Sequence, residues 1–152
     1  MKIKAAVLYK HNTPLSVEEI ELDAPMAGEV LVKIVGSGVC HSDWRDIKGE
    51  WKDMWVTPPV VLGHEAAGIV EEVGPGVSSV KPGDHAVLSF VPNCGVCYYC
   101  VIGSPHLCDN PWEYVGGSRL HKDSQRINHY AGVSSFAEYA VVPEAGIIRA
   151  RY

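Results

Sequence analysis

Residues 60–90 read VVLGHEAAGIVEEVGPGVSSVKPGDHAVLSF, and this stretch decides the fold class. Val60–Leu62 and Ala66–Val73 are short runs rich in β-branched residues on either side of Gly63-His64-Glu65. Runs of this length and composition, bounded by turn residues, predict strands. Gly74-Pro75-Gly76 and Lys81-Pro82-Gly83-Asp84 supply turns on either side of Val77–Val80, and the second turn opens a further strand at His85–Phe90. With 15 glycines and 10 prolines in 152 residues, the rest of the chain should follow suit: many turns, short strands, few short helices and a mainly β core.

Working outward, Lys2–Tyr9 and Pro14–Asp23 predict two strands joined at His11-Asn12-Thr13. In the second, Ile20 and Leu22 alternate with Glu19, Glu21 and Asp23, so one face is wet and the other buried. Val30–Val35 carries a single charge, Lys33, and predicts a more central strand. Asp43–Gly49 predicts one helical turn with Ser42 or Asp43 as its N-cap. From Pro92 to Val133 the pattern dissolves into cysteines, glycines and polar residues, a length that calls for something to pin it. Alternation resumes over Ser135–Val142, and Ile147-Ile148 begins a last apolar stretch.

Composition narrows the function classes. The chain is 47% hydrophobic and 20% charged, as expected of one soluble globular domain. Its net charge of -5 leaves no basic footprint for nucleic acid or anionic lipid. No apolar run has the length of a bilayer span, and Met1–Lys10 does not read as a signal peptide, so no membrane partner and a cytoplasmic setting are expected. In a reducing compartment, cysteines are more often metal ligands or nucleophiles than disulfide partners.

Four of the five cysteines, Cys94, Cys97, Cys100 and Cys108, follow the spacing C-x2-C-x2-C-x7-C. Such separations let thiolates reach the corners of one tetrahedron, and four thiolates leave no open position on zinc. The expectation is a structural zinc that staples a lobe at about 92–110. An iron-sulfur cluster is the rival, although the proline-headed fourth cysteine of the ferredoxin run is absent. Separately, Cys40 and His64 offer a thiolate and an imidazole, a pair suited to a catalytic zinc, which takes three protein ligands and keeps a fourth position open. Taken singly, each also reads as an ordinary buried residue.

Gly63-His64-Glu65-Ala66-Ala67-Gly68 followed by Gly74 and Val77 matches G-H-E-x-x-G-x5-G-x2-V. Together with Cys40-His41-Ser42-Asp43, the cysteine lobe and Phe136-Ala137-Glu138-Tyr139, it makes the chain resemble the zinc-containing medium-chain dehydrogenases from end to end. That resemblance implies a GroES-like β-barrel over residues 1–152. It also implies a catalytic zinc on Cys40 and His64, with a third ligand further downstream. Glu65 would be an acidic neighbour able to approach the metal, and Asp43 a carboxylate that orients the histidine. Ser42, alternatively a helix cap, would take the alcohol proton, and His41 would face cofactor phosphate. Arg45 stands where some relatives end the proton relay in histidine.

By the same resemblance, zinc acts as Lewis acid while hydride passes from a small alcohol to NAD or NADP, giving aldehyde or ketone. The longer loop Gly116–Tyr130 is similar to that of the alcohol and glutathione-dependent formaldehyde branches. Trp44, Trp51 and Trp55 would line an apolar alcohol pocket or serve as core. His11, His85, His106, His121 and His129 match no ligand position and read as turn or surface residues. No G-x-G-x-x-G follows a strand, so a Rossmann domain is expected to be absent from these residues. The fragment should then bind structural zinc tightly, hold catalytic zinc weakly or not at all, and turn over no alcohol. Homo-oligomers are expected of the full-length enzyme. A zinc-independent medium-chain reductase and a zinc-stabilised binding module are the alternatives.

Overall fold

The computed structural model describes residues 1–51, 57–110 and 117–150. Ten strands dominate it: β1 (Lys2–Leu8), β2 (Ser16–Leu22), β3 (Glu29–Ser37), β4 (Val60–Val61), β5 (Ala66–Val73), β6 (His85–Leu88), β7 (Leu120–Lys122), β8 (Gln125–His129), β9 (Tyr139–Pro143) and β10 (Ile147–Arg149). The helices are α1 (His41–Lys48) and α2 (Tyr98–Val101). Among the described residues, no helix is long and apolar enough to cross a membrane.

Strands β1, β2, β7, β8 and β4 close into a barrel, and β10, β6, β5, β3 and β9 form a five-stranded sheet. The predicted alternation accounts for the barrel wall. Ile3, Ala5 and Val7 of β1 and Ile20 and Leu22 of β2 are buried inward, while their charged neighbours stay outside. The central strand expected at Val30–Val35 is β3, and its position explains why so many consecutive residues are apolar. Leu31 faces the barrel core with Val141, whereas Val30 and Val32 face a second core with Ala140 and Val142. Two apolar faces remove the polar alternation. The chain entering β9 stitches the units together, with Ala6 N–H donating to Phe136 O at 2.8 Å and Glu138 N–H to Lys4 O at 3.0 Å.

Three expectations need correction. The stretch from Pro92 to Val133 is not patternless: β7 and β8 pair as a hairpin and complete the barrel. Their inward residues are Leu120 and Ile127, directly opposite each other and both buried, so each strand shows one strong apolar residue and no periodic signal. Helix α1 is longer than expected and is capped by Cys40, not by Ser42 or Asp43. His121 and His129 are half-buried strand residues, with His121 held between Glu21 (2.9 Å) and Asp23 (3.0 Å), whereas His85, also in a strand, is exposed as a surface residue should be. The bond to Asp23 raises the His121 pKa, whereas burial pushes that of His129 down to about 4 and keeps it neutral.

Candidate metal centres

The four sulfurs of Cys94, Cys97, Cys100 and Cys108 come together at the lobe formed by α2 and the 3-10 turn Pro105–Leu107, and none is in a disulfide. Cys94 Sγ lies 3.9 Å from Cys100 Sγ, and Cys97 Sγ lies 3.5 Å from Cys100 Sγ and 4.0 Å from Cys108 Sγ. A Zn–S bond of about 2.3 Å places the corners of a tetrahedron roughly 3.8 Å apart, so the group fits one ion. Sulfurs this close leave no space for a multi-iron cluster, which decides against that rival. Amide N–H groups support the sulfurs: Cys94 N–H donates to Cys108 Sγ (3.3 Å) and Cys97 N–H to Cys94 Sγ (3.2 Å). Hydrogen bonds from the Asp109 and Cys100 amides lower the Cys97 thiol to about 6, while burial, with neighbouring thiols, pushes Cys100 up to about 12. Adjacent thiols resist common ionisation, and a divalent cation relieves that conflict.

Elsewhere, Cys40, His64 and Glu65 each bring one donor atom to a second point, all within 4.8 Å of one another. Cys40 sits at the mouth of α1, whereas His64 and Glu65 lie in the link between β4 and β5. Asp43 ties the two pieces together. One of its oxygens accepts from Cys40 N–H at 3.0 Å, and the other accepts from Gly63 N–H at 3.0 Å. The same Oδ1 lies 3.3 Å from His64 Nδ1, although misaligned for a full hydrogen bond. Asp43 is 1% exposed and His64 7%, so this network is shielded from water.

The carboxylate beside Nδ1 favours the proton there and leaves the Nε2 lone pair toward the donor cluster. Ser42 Oγ lies 3.2 Å from Nε2. Gly63 is required by geometry: its φ is +89°, and a Cβ there would lie 2.6 Å from both Phe136 Cδ1 and Ser135 Oγ. Glu65 is held back over Gly38, where a Cβ would meet its Oε2 at 2.4 Å.

The structure therefore brings together Cys40, Ser42, Asp43, His64 and Glu65, and keeps them apart from the cysteine lobe as a separate donor cluster. His41 is exposed at the first position of α1. Arg45 is directed elsewhere, bonded to Glu50 at 3.0 Å and stacked 4.6 Å over Trp51. Trp44 is an exposed helix residue and not core; Trp55 and Gly116 lie outside the described residues.

Sequence reasoning missed Phe90, Tyr130 and Asp46. Phe90 and Tyr130 pack edge-on against His64 at 5.3 and 5.5 Å, and Tyr130 O–H donates to Asp46 Oδ2 at 2.5 Å. A single aromatic in an aperiodic stretch gives no signal of its own. Asp46, three residues after Asp43 on a predicted helical turn, could have been placed on the same face.

Comparison with known proteins follows the same lines. Residues 26–152 match the model of the alcohol dehydrogenase GroES-like domain. The chain is 42% identical to the NDMA-dependent alcohol dehydrogenase of Amycolatopsis methanolica, an alignment covering 98% of this chain and 41% of that protein. It is 44% identical to S-(hydroxymethyl)glutathione dehydrogenase of Photobacterium damsela subsp. piscicida, covering 98% of this chain and 42% of that protein. Among solved structures, the alcohol dehydrogenase zinc-binding domain protein from Burkholderia ambifaria superposes with a TM-score of 0.88 at 33% identity, covering 99% of this chain and 42% of that one. The chain thus spans about two fifths of the length of the proteins it matches.

Proposed function

Since the chain belongs to the alcohol dehydrogenase family through its GroES-like domain, we propose that residues 1–152 are the catalytic domain of a zinc-dependent enzyme oxidising a small alcohol to an aldehyde or ketone, with hydride passing to NAD or NADP. The observation that carries this reading is the convergence of Cys40, His64 and Glu65 on one point, beside the Ser42 hydroxyl.

One zinc ion would be held at 92–110 by Cys94, Cys97, Cys100 and Cys108, with a structural role. The other would be held by Cys40 and His64, with Glu65 as a third donor among the described residues, so a second ion would be taken up weakly, at excess metal, rather than not at all. Zinc, when bound there, supplies Lewis acidity that makes a hydroxyl proton easier to lose. The chain's own residues do the rest. Asp43 fixes the imidazole and the Gly63 turn, Ser42 accepts the proton at Oγ, and Phe90 and Tyr130 exclude water from one side of His64. His41, exposed at the start of α1, would meet a cofactor phosphate. Nucleotide binding and much of the homo-oligomer contact would fall to parts of the enzyme outside these residues, so these residues alone would turn over no alcohol, and the expected setting is cytoplasmic. The tetrahedral sulfur spacing favours this reading over a zinc-independent reductase, and the net charge of -5 favours it over a nucleic-acid-binding module.

Cobalt(II), which unlike zinc absorbs visible light, tests the open position. The chain loaded at both centres is titrated with a small primary alcohol. The bands of the second centre should change, and His64→Ala should abolish that change without touching the four-sulfur bands. A doubly loaded chain whose spectrum ignores alcohol contradicts the reading.

A further inference from the structure

Gly38 lies outside the left-handed region that Gly49 and Gly63 occupy, so no turn conformation calls for glycine there. Space calls for it instead. A Cβ at position 38 would lie 2.4 Å from Glu65 Oε2, 3.1 Å from Glu65 Cβ and 3.4 Å from Glu65 Cδ, and these three nearest atoms all belong to one side chain. At Gly36, two residues earlier, a Cβ would meet nothing within 4 Å. The gap at position 38 is therefore filled by Glu65.

The two backbones are not free to separate. Ser37 pairs with Ala66 at the end of the β3–β5 ladder, and Gly38 N–H donates to Glu65 O at 2.7 Å, which makes Gly38 and Glu65 cross-strand neighbours. The Ser37 and Ser135 hydroxyls lie 2.7 Å apart, and Ser135 N–H donates to Gly63 O at 3.0 Å, so the end of β3 is tied to the Gly63 turn from a second side. With both backbones fixed, a methyl group at position 38 is accommodated by turning the Glu65 side chain into another rotamer.

The rotamer that would be lost is the one that serves the metal position. Glu65 is exposed, and an exposed glutamate is free to spread over several rotamers. In the one that lies along Gly38, a carboxylate oxygen comes within 4.8 Å of the donor atoms of Cys40 and His64. Resting on the metal reading above, we propose that Gly38 is a positioning residue for the second centre: its missing side chain is the seat that keeps the Glu65 carboxylate beside Cys40 and His64. Gly38 itself offers no donor atom. It precedes Cys40 by two residues, so one short segment supplies a ligand and the seat for another.

Cobalt(II) titrated into the chain after the four sulfurs have been filled with zinc reports the second centre alone, through its visible bands. Gly38→Ala should weaken cobalt uptake there by about 10–100-fold, the usual effect of removing a group that supports a ligand, and Glu65→Ala should weaken it as much. Added to Glu65→Ala, Gly38→Ala should cost nothing further, because no carboxylate is left to displace. If Gly38→Ala costs the same with and without Glu65, it acts through the Cys40 backbone and the proposal fails. If Glu65→Ala takes up cobalt like the unaltered chain, the carboxylate is no donor and the proposal also fails. Both results leave the Cys40–His64 centre standing. A chain that takes up no cobalt beyond the four sulfurs at any concentration sinks the metal reading and this proposal with it. The double variant is free of the 2.4 Å clash, so if Gly38→Ala alone folds poorly, the double variant must still fold and bind as Glu65→Ala does; weaker binding overturns the proposal.

Discussion

Cys108→Ser is expected to open the 92–110 lobe to protease while the barrel stays folded. The lobe has almost no apolar interior: Val96 is 78% exposed, Val101 72% and Tyr98 69%. Its order must come from the sulfur cluster, in which Cys108 is the buried member and accepts the Cys94 N–H. Structural zinc contributes about 10–16 kcal/mol in small zinc modules, far more than the lobe's few contacts could replace. The three apolar clusters are built from the strands and their flanking residues, with no cysteine among them, so the damage should be local. Limited proteolysis with zinc analysis checks this, and strong chelation of the unaltered chain should reproduce the variant's cleavage pattern. A lobe that resists protease with no metal bound contradicts the structural-zinc assignment.

The second large effect concerns Asp43. Asp43→Ala should lower affinity for zinc at the Cys40–His64 centre by about 10–100-fold, the usual cost of removing a group that orients a ligating histidine. The four-sulfur affinity should not change. The substitution also leaves the N–H groups of Gly63 and Cys40 without their acceptor, at roughly 1–3 kcal/mol for each buried donor. Competition with a chelator of known affinity separates the two centres, because the four-sulfur ion exchanges last. Equal affinities in Asp43→Ala and the unaltered chain would mean that His64 is positioned by something else.

Much of this molecule is legible in the sequence, for reasons that differ from place to place. Strands β1, β2 and β3 announce themselves because one or both faces are buried, and burial is written as alternation or as an unbroken apolar run. The four-cysteine lobe announces itself by spacing alone, since ligands to one ion must lie close along a loop. The hairpin β7–β8 does not, because it is short and each strand contributes one strong apolar residue to the core.

The Cys40–His64 cluster is intermediate. Its members are 24 positions apart and meet only because Asp43 bridges the α1 cap and the Gly63 turn, a contact that no local pattern encodes. Tyr130 and Asp46 meet across an even longer separation of 84 residues, which is why no local pattern announces their pairing.

The most direct measurement is anomalous diffraction at the zinc edge from crystals of the chain grown with excess zinc. Two peaks are predicted, one among Cys94, Cys97, Cys100 and Cys108, and a weaker one bounded by Cys40 Sγ, His64 Nε2 and the Glu65 carboxylate. A single peak at the four sulfurs, with Cys40 and His64 turned away from each other, would contradict the account.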